Sequence, residues 1–541
     1  MGEFKNESTY KAFVNGGREG EFDGLFDKAV ADINSGLLGG EFPMMIGGEK
    51  RFSSGKIIEK SPIDGRIIGT FQEGRRTDAS DAIASAETAF ADWSSKDYKA
   101  RVGLFRKAAG IFSRDKFRIA AAMSIENGKT RYESIGEVDE AIDFLNYYSE
   151  EMERNKGYSR RTGIAGTGIR VNAGFQGSPG SSERVKISLR PYGVFGIIAP
   201  FNFPVSISVG MSSGALITGN SVVFKPSSTD NMTMLTGFMI YKVFEEAGLP
   251  KGVFNYITGP GSEVGDELVT DKRVSGIAFT GSRKTGLSMI SKAISLGQQK
   301  VFVAEMGGKN PVIVTESANL DAAVQGVLGA AFGYSGQKCS ACSRVYVSRK
   351  VRDEFVRHLA ERATSLGIGN PLLKENYVGP LISEKAVEKY KSAVEQAGAR
   401  GKIICGGHVA PGEGSSLYVE PTIAELRHDD PLMHEELFVP FLSIAAYDMF
   451  ETALKQANDV EYGLTAGLYS NRRSEIKRFA SGIEAGVVYI NRETSATTGA
   501  MVGVHTFVGW KGSGLTGKGT GSRHYLQQFM REQSVSKVKG S

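Results

Sequence analysis

Cys339 is the residue of this 541-residue sequence whose surroundings most favour chemistry. It lies in the polar stretch 336–344, after a long apolar helix-forming run and before a predicted strand. A structural cysteine usually lies among Val, Leu and Ile, whereas Lys338 and Arg344 are expected to favour the thiolate and raise its reactive fraction. The sequence therefore predicts a nucleophilic Cys339. The alternative is an inward-facing thiol with solvated charges on either side.

Two further side chains could assist such a thiol. Glu305 follows the apolar run 301–304 and precedes two glycines, which allow close approach of a ligand. Asn202 ends another apolar strand and stands between two prolines. An attacking sulfur, a carboxylate that activates water and an amide that stabilises an oxyanion are the groups that thiol-mediated acyl chemistry requires. Taken alone, Glu305 could be an exposed strand-end carboxylate, and Asn202 could serve only the turn.

Hydrophobic periodicity predicts the elements that position these groups. Residues 77–150 are predicted to form helices whose apolar faces pack into a core, with Thr77 as the first N-cap. From residue 194 onward, short apolar strands alternate with helical runs, as in βαβ units. The predicted strands are 194–198, 222–224, 253–257, 276–279 and 301–304. Parallel strands would bring the turns that follow them to one edge of a sheet, where α/β proteins bind ligands.

Those turns contain two candidate cofactor-binding signals. The string from Gly259 through Gly261 to Gly265 is a weak signal, because it could equally be a flexible turn. Thr280-Gly281-Ser282 precedes a predicted helix, whose first-turn amides and hydroxyls could hold a pyrophosphate.

Composition narrows the class of protein. The chain has 65 Lys and Arg against 60 Asp and Glu, a net charge of +5 that implies no nucleic-acid partner. Three cysteines argue against a disulfide framework and favour a reducing compartment. Cys339 and Cys342 form a Cys-x-x-Cys pair, but no second pair or His cluster accompanies them, so a zinc site is not predicted. A thioredoxin-like redox pair is disfavoured because the motif follows a long helix within a large α/β chain. No apolar run has the length of a signal peptide or a membrane span, and we expect a cytoplasmic protein.

Seven motifs in this order resemble the aldehyde dehydrogenase superfamily over residues 45–530. The motifs are Pro200-Phe201-Asn202-Phe203-Pro204, Lys225-Pro226-Ser227, Phe279-Thr280-Gly281-Ser282, Glu305-Met306-Gly307-Gly308-Lys309, Gly336-Gln337-Lys338-Cys339, Glu435-Glu436-Leu437-Phe438 and Asn491-Arg492. The resemblance implies oxidation of an aldehyde to a carboxylic acid. Cys339 would attack the aldehyde, Asn202 and the N–H of Cys339 would stabilise the oxyanion, and Glu305 would activate the water that hydrolyses the thioester.

The resemblance also implies an α/β fold of two doubly wound parallel-sheet domains with a bridging hairpin used in oligomerisation. The expected parts are an NAD(P)-binding domain (1–155 and 187–304), a catalytic domain (305–490), bridging segments (156–186 and 515–541) and a return crossover with the substrate-anchor loop (491–514). By composition alone, the Arg-, Gly- and Ser-rich stretch 156–186 is a loop or linker. Because the family's hairpin and tail cross to a neighbouring subunit, we expect a homo-oligomer, either a dimer or a multiple of dimers. Residues 1–44 are expected to pack against the first domain.

The implied cofactor is NAD, with NADP as the alternative. Lys225 would hydrogen-bond the adenosine ribose and Glu436 the nicotinamide ribose. Ser228 occupies a position at which strongly NAD-selective members often have Glu, whose carboxylate would repel a 2′-phosphate. The predicted cofactor-binding residues are Ile198, Pro200, Phe201, Lys225, Ser228, Gly261, Gly265, Thr280, Gly281, Ser282, Gly307, Glu436 and Phe438.

Within the superfamily, residues 336–344 and 498–503 are most similar to the 1-pyrroline-5-carboxylate dehydrogenase branch. That branch oxidises glutamate γ-semialdehyde to glutamate in proline catabolism. By this likeness Ser340, Gly499 and Ala500 would bind the substrate α-carboxylate, since exposed backbone N–H groups bind anions at close range. Phe203 and Phe507 would flank the methylene chain, although both rings could be ordinary core residues.

Two stretches depart from this likeness. Residues 493–497 form a small insertion between Asn491-Arg492 and the Gly-Ala turn, and residues 506–510 replace the family's usual Pro-Phe-Gly-Gly. Both lie beside the predicted carboxylate site, so they bear on the identity of the substrate. Another semialdehyde, such as that of succinate, is the alternative. A CoA-acylating dehydrogenase is disfavoured by Glu305, and a non-enzymatic homologue by the presence of every catalytic and cofactor residue.

Overall fold

Continuous apolar runs build the centre of this chain, because its main sheets are buried on both faces. The computed structural model describes residues 4–165, 183–230, 232–412 and 414–538. Its α-helices are α1 (Thr9–Asn15), α2 (Glu19–Gly36), α3 (Arg76–Ser95), α4 (Tyr98–Arg114), α5 (Lys116–Asn127), α6 (Arg131–Arg154), α7 (Ser206–Ile217), α8 (Met234–Ala247), α9 (Asp266–Thr270), α10 (Arg283–Ser295), α11 (Leu320–Phe332), α12 (Arg352–Thr364), α13 (Glu384–Arg400), α14 (Phe450–Asn458) and α15 (Arg473–Gly482).

The strands occur in chain order between these helices. They are β1 (Gly40–Phe42), β2 (Met44–Ile46), β3 (Glu49–Arg51), β4 (Lys56–Lys60), β5 (Ile67–Gln72), β6 (Ser159–Ala165), β7 (Glu183–Pro191), β8 (Val194–Ile198), β9 (Ser221–Lys225), β10 (Phe254–Tyr256), β11 (Val274–Thr280), β12 (Val301–Glu305), β13 (Asn310–Val314), β14 (Cys342–Ser348), β15 (Lys402–Cys405), β16 (Thr422–Glu425), β17 (Phe441–Tyr447), β18 (Tyr462–Gly463), β19 (Thr465–Tyr469), β20 (Val487–Ile490), β21 (Trp510–Lys511) and β22 (Met530–Val538). None of the helices in the described ranges is long and apolar enough to cross a membrane.

The first large sheet has the order β12-β11-β8-β9-β10-β2-β3. The run from β12 to β10 is parallel, and β2 and β3 extend it as an antiparallel edge. Its five parallel strands confirm the predicted strands to within two residues at each end. Both faces are covered: Val223 packs in the cluster that contains α3, whereas Val222 and Phe224 pack in the cluster that contains α6, α7 and α8.

The second large sheet has the order β15-β16-β17-β14-β13-β19-β20 and is parallel except for the edge strand β15. With helices on its faces it gives the second α/β unit, so the predicted fold class is confirmed. The antiparallel edges are an addition to that prediction. The exact domain boundaries stay a prediction.

A smaller sheet joins two segments that are far apart in sequence, in the order β22-β7-β6. Its register runs from Met530 opposite Pro191 to Val538 opposite Glu183. The composition-based prediction of a loop over 156–186 is therefore wrong for the residues in β6 and β7. Charged residues are tolerated in β7 because Lys186 and Arg190 are exposed. The remaining part of that stretch, 166–182, lies outside the described residues.

The N-terminal region differs from expectation at one helix start. The prediction of Thr77 as N-cap is wrong, because α3 begins at Arg76 and its first turn is closed from inside, where the Asp78 carboxylate accepts the Arg75 N–H at 3.0 Å. Before this helix, α2 buries Phe22, Phe26 and Ile33 in the same cluster as α5 and α6. The expected packing of the first residues against the first domain is confirmed for the described part.

Candidate active site

Four strands of the first sheet end at one edge and carry predicted site residues as their last residues. Ile198 ends β8, Lys225 ends β9, Thr280 ends β11 and Glu305 ends β12. In the sheet register, Ile198 lies opposite Lys225 and Thr280 lies opposite Glu305. The predicted meeting of these turns at one edge is confirmed, and it follows from parallel pairing in register.

A cavity of about 270 Å³ lies beside this edge. It is lined by Cys339 and Glu305 and by the whole predicted substrate set, which is Phe203, Ser340, Gly499, Ala500 and Phe507. Helix α6 supplies another wall through Glu133, Gly136, Glu137, Glu140 and Phe144. Tertiary folding thus brings together one thiol, one strand-end carboxylate and the Gly-Ala turn.

Asn202 does not line this cavity but is tied to the nucleophile's segment. Its buried amide donates from Nδ2 to the carbonyl oxygen of Gln337 at 2.9 Å. The second N–H of Nδ2 has no acceptor among the described residues. Gln337 is fixed in turn, since its Oε1 accepts the Ile382 N–H at 2.9 Å. The stretch before Cys339 is therefore held rigidly from both sides.

The electrostatics of Cys339 differ from the prediction. Burial, followed by the carboxylates of Glu436 and Glu305, raises the pKa of the Cys339 thiol to about 12. Lys338 cannot favour the thiolate because it forms an ion pair with Glu133. Arg344 is buried and donates to the carbonyls of Lys309 and Ala457, each at 2.9 Å. The prediction that these two cations activate the thiol is wrong, because both are committed to other partners.

Glu305 has the properties of a base at neutral pH. Burial raises the pKa of its carboxyl to about 7, against the opposing effect of hydrogen bonds from the hydroxyl and backbone N–H of Thr520. The backbone of Thr520 in turn accepts the Phe507 N–H at 3.3 Å. Residues 506–510, which differ from the family's usual Pro-Phe-Gly-Gly, are therefore linked through Thr520 to Glu305 at the end of β12. Phe507 of this stretch lines the cavity.

The two glycines after Glu305 are explained by close approach of other groups. The Gly308 N–H donates to Glu436 Oε1 at 2.8 Å. A Cβ at Gly307 would overlap the Glu436 carboxylate, and a Cβ at Gly308 would overlap the carbonyl oxygen of Cys339. Burial raises the pKa of the Glu436 carboxyl. The segment 307–308 therefore runs close to Glu436 on one side and to the backbone of Cys339 on the other.

Other predicted cofactor residues surround the strand ends. Lys225 is buried, which lowers its pKa to about 8, and its Nζ donates only to the Pro226 carbonyl at 3.3 Å among the described partners. Ser228 donates to the same carbonyl at 2.9 Å. The rings of Phe201 and Phe438 meet edge to face with centroids 5.9 Å apart. Pro200 lies in the turn between β8 and α7.

The turns after β10 and β11 offer different environments. Gly261 and Gly265 bound one helical turn before α9, and a Cβ at either would face open space, so packing does not require glycine there. Thr280 contacts the sulfur of Met211 at 3.6 Å. After Gly281, the Ser282 hydroxyl accepts the Thr285 N–H at 3.2 Å and caps α10. Its side chain is thus used by the helix.

Sequence reasoning missed the carboxylates of α6. Glu133, Glu137 and Glu140 recur at helical spacing on the face that lines the cavity, a signal hidden within the predicted core stripe. Glu137 forms a fully buried ion pair with Lys129. Burial raises the pKa of Glu140 to about 7. Within the described ranges, no three His, Cys, Asp or Glu residues converge as they would around a metal ion.

The fold and the family comparison together define an oxidoreductase of the aldehyde dehydrogenase type. The model of the aldehyde dehydrogenase family matches residues 51–535, and the chain belongs to this family. It is 37% identical over 520 residues to 1-pyrroline-5-carboxylate dehydrogenase 1 of Halalkalibacterium halodurans, which covers 95% of this chain and 96% of that protein.

Comparison with solved structures also finds similarity to 1-pyrroline-5-carboxylate dehydrogenases. The chain is similar to 1-pyrroline-5-carboxylate dehydrogenase from Thermus, solved with bound NAD, with a TM-score of 0.89, 32% identity and 99% coverage of both chains. It is also similar to proline utilization A from Bdellovibrio bacteriovorus, with a TM-score of 0.89 and 34% identity. In that comparison 99% of this chain matches 53% of the longer protein.

Proposed function

We propose that this protein oxidises L-glutamate γ-semialdehyde, the open form of 1-pyrroline-5-carboxylate, to L-glutamate with NAD(P). One observation carries the proposal: a single cavity is lined by Cys339, Glu305 and the Ser340, Gly499 and Ala500 set. A small molecule with an aldehyde at one end and a carboxylate at the other could therefore place the aldehyde at Cys339 and bind its carboxylate at Ser340 and the Gly-Ala turn. The names of the similar proteins support the same substrate.

In the first half-reaction, Cys339 must lose its proton before it attacks. With a thiol pKa of about 12, the thiolate is scarce. Glu305 and Glu140 both line the cavity with a pKa of about 7, and of these two Glu305 is the one whose charge acts on the Cys339 thiol. Attack of the sulfur on the aldehyde carbon would form a thiohemiacetal. Its oxyanion would be stabilised by the uncommitted N–H of Asn202 and by the N–H of Cys339, an arrangement worth about two to three orders of magnitude in rate.

In the second half-reaction, a thioester on Cys339 is hydrolysed. After Glu305 has released the thiol proton to solvent, it accepts a proton from the attacking water. The carbon–sulfur bond then breaks, and the leaving thiolate takes that proton to regenerate the thiol. Thr520 holds the Glu305 carboxylate through its hydroxyl and N–H, which fixes the direction of the base. The product is the free carboxylic acid.

The residues at the sheet edge fit a dinucleotide. The Lys225 ammonium is buried with one weakly aligned carbonyl partner among the described residues, so ribose hydroxyls would compensate its desolvation. Glu436, held by Gly308, would bind the second ribose. A dinucleotide held by these residues would supply the hydride acceptor for the oxidation. We propose NAD as the cofactor, with NADP tolerated because uncharged Ser228 does not repel a 2′-phosphate.

The cavity also has groups for the two charges of an amino acid. Ser340 and the N–H groups of the Gly-Ala turn would bind the α-carboxylate, as ordered backbone donors do. Glu140, on the wall formed by α6, would receive the α-ammonium. The side chains of Phe203 and Phe507 would pack on the methylene groups between.

Kinetics with two semialdehydes test this substrate. We expect kcat/KM for glutamate semialdehyde to exceed that for succinate semialdehyde, which lacks the ammonium, and Glu140→Gln to reduce the difference. Ser340→Ala should slow both carboxylate-bearing substrates more than it slows butanal. If Ser340→Ala slows all three equally, the carboxylate assignment is wrong. If succinate semialdehyde is preferred, that compound is the better substrate assignment.

We also propose a homo-oligomer that uses the β22-β7-β6 sheet. Within the described ranges, no further strand pairs with β22 or β6, the two outer strands of this sheet, and edge strands with unpaired backbone groups favour contact with another chain. Light scattering at micromolar concentration should give a dimer or a multiple of dimers. A monomer under those conditions would contradict this part of the proposal.

A further inference from the structure

The turn at 498–500 presents two backbone donors to the cavity. The N–H groups of Gly499 and Ala500 donate to no acceptor among the described residues, and both residues line the cavity. Gly499 has a φ of +81°, a left-handed conformation that glycine adopts without strain. A left-handed residue between ordinary ones lets successive N–H groups point to one side and form an anion-binding nest.

Arg492 binds the opposite side of the same two peptide groups. Its Nη1 donates to the carbonyl oxygen of Thr498 at 2.9 Å, and its Nη2 donates to that of Gly499 at 2.9 Å. In a trans peptide the C=O and the following N–H point in opposite directions, and the described residues contain no cis peptide. Fixing the two carbonyls toward Arg492 therefore fixes the N–H groups of Gly499 and Ala500 away from it.

Arg492 is itself held outside the cavity. Its guanidinium lies 4.8 Å from the ring centroid of Tyr489, and its carbonyl accepts the hydroxyl of Tyr469 at 2.6 Å. Among the described residues it forms no ion pair with a carboxylate, so its positive charge is not cancelled locally. It does not line the cavity, and it can act on a substrate only through the turn.

The insertion that separates Arg492 from the turn is ordered by the rest of the molecule. Thr497 is fully buried and donates from Oγ1 to the carbonyl oxygen of Ser340 at 2.6 Å. The Ala496 N–H donates to the Gly326 carbonyl at 2.9 Å. The residue directly before the turn is thus joined to Ser340 by a hydrogen bond, and the turn and Ser340 both line the proposed carboxylate site.

We propose that Arg492 is the positioning residue of the carboxylate site and gives this protein its preference for aldehydes that carry a carboxylate. This inference rests on the proposed function. Arg492 orients the two N–H donors, polarises them through the peptide groups and adds an uncancelled positive charge behind them. It touches no reacting atom.

The test compares substrates with and without a carboxylate in wild type, Arg492→Gln, Arg492→Lys and the surface control Arg427→Gln. Arg427 pairs only with exposed Asp429 among the described residues. For glutamate semialdehyde we expect Arg492→Gln to lower kcat/KM about 10- to 100-fold, through KM, as for lost charge-assisted hydrogen bonds. For butanal we expect little change. Arg492→Lys should fall between, because lysine keeps the charge without the two-pronged geometry.

Two outcomes overturn the inference. An equal loss with butanal would mean that Arg492 is only structural, and an unchanged preference in Arg492→Gln would mean that it has no role in selection. If Arg492→Gln gives no folded protein, Arg492→Lys is tested by the ratio of kcat/KM for glutamate semialdehyde to kcat/KM for butanal. If this ratio equals that of the wild type, the two hydrogen bonds from Arg492 to the carbonyls do not set the preference. A wild type that oxidises butanal as well as glutamate semialdehyde contradicts the substrate proposal itself, and is thereby distinguished from a failure of Arg492 alone.

Discussion

At the scale of single residues, the site contains a poorly acidic thiol and a weakly acidic carboxyl. The pKa of Cys339 is raised to about 12 and that of Glu305 to about 7, in both cases chiefly by burial. A base that titrates near neutral pH suits proton transfer at that pH. In the proposed mechanism, the Glu305 carboxylate accepts the proton that the poorly acidic Cys339 thiol must lose.

The ionisation of Glu305 should set the acid limb of the pH profile. Because the base must be deprotonated, kcat/KM should rise with pH through about 7 and fall below it. Glu305→Gln should lower kcat by about 10²–10⁴-fold and abolish this limb. The measurement is initial rate against pH with butanal, since Glu140 titrates in the same range and would affect an ammonium-bearing substrate. A Glu140→Gln control should keep the limb, and an unchanged limb in Glu305→Gln would refute the assignment.

At the scale of elements, close approach of two segments decides where glycine is needed. The segment after β12 passes so near the nucleophile that a Cβ at Gly308 would overlap the Cys339 carbonyl. Gly103, in the middle of α4, has nothing near its Cβ position. These two glycines have opposite physical roles, because one is required by packing and the other costs helix stability.

Alanine at these two positions should therefore act in opposite directions. Gly308→Ala should destabilise the fold by about 1–3 kcal/mol, as overpacking does, and reduce turnover by displacing Cys339. Gly103→Ala should stabilise by about 0.5–1 kcal/mol and leave activity unchanged. Denaturant unfolding and steady-state rates measure both. Equal stability of Gly308→Ala and the wild type would show that the backbone shifts to accept the methyl group. The close approach of Gly308 to the Cys339 carbonyl would then not be a packing constraint.

Some element-scale features could be read from the sequence. The apolar runs at 194–198 and 301–304 became β8 and β12 because both faces of the sheet are covered and every position must be apolar. Thr77 was misassigned because the helix is capped earlier in the chain. The N-cap is Arg75, and its N–H is accepted by the Asp78 carboxylate. Strands β6 and β7 were hidden because their polar composition resembles that of a loop.

At the scale of the whole molecule, buried carboxylates join helices that are distant in sequence. Glu126 of α5 accepts the backbone N–H groups of Leu235 and Thr236 at the start of α8, at 2.6 and 3.2 Å. Glu59 accepts the neighbouring Met234 N–H at 3.1 Å. Burial raises the pKa of Glu126 to about 7 and that of Glu59 well above its ordinary value.

This arrangement predicts a pH dependence of stability. A carboxyl whose folded pKa is raised favours the folded state fully below its unfolded pKa, about 4.5, and loses that contribution as pH rises to about 7. Glu126→Gln mimics the protonated form, so its melting temperature should fall less than that of wild type between pH 4.5 and 7. Glu87→Gln, which changes a carboxylate on the exposed side of α3, is the control. Parallel melting curves for wild type and Glu126→Gln would contradict the prediction.

The sequence by itself determined the family, the positions along the chain of the five parallel strands of the first sheet, and the meeting of the turns that follow them at one edge. These features depend on local apolar runs and on motifs that adjoin them. It could not determine the electrostatics of the nucleophile, because the partner of Lys338 is Glu133, more than two hundred residues earlier. Nor could it show the carboxylates of α6 in the cavity wall or the contact of Arg492 with two carbonyls. Only the tertiary structure decided these, since the charge and hydrogen bonding of a buried group are set by whichever distant segments pack around it.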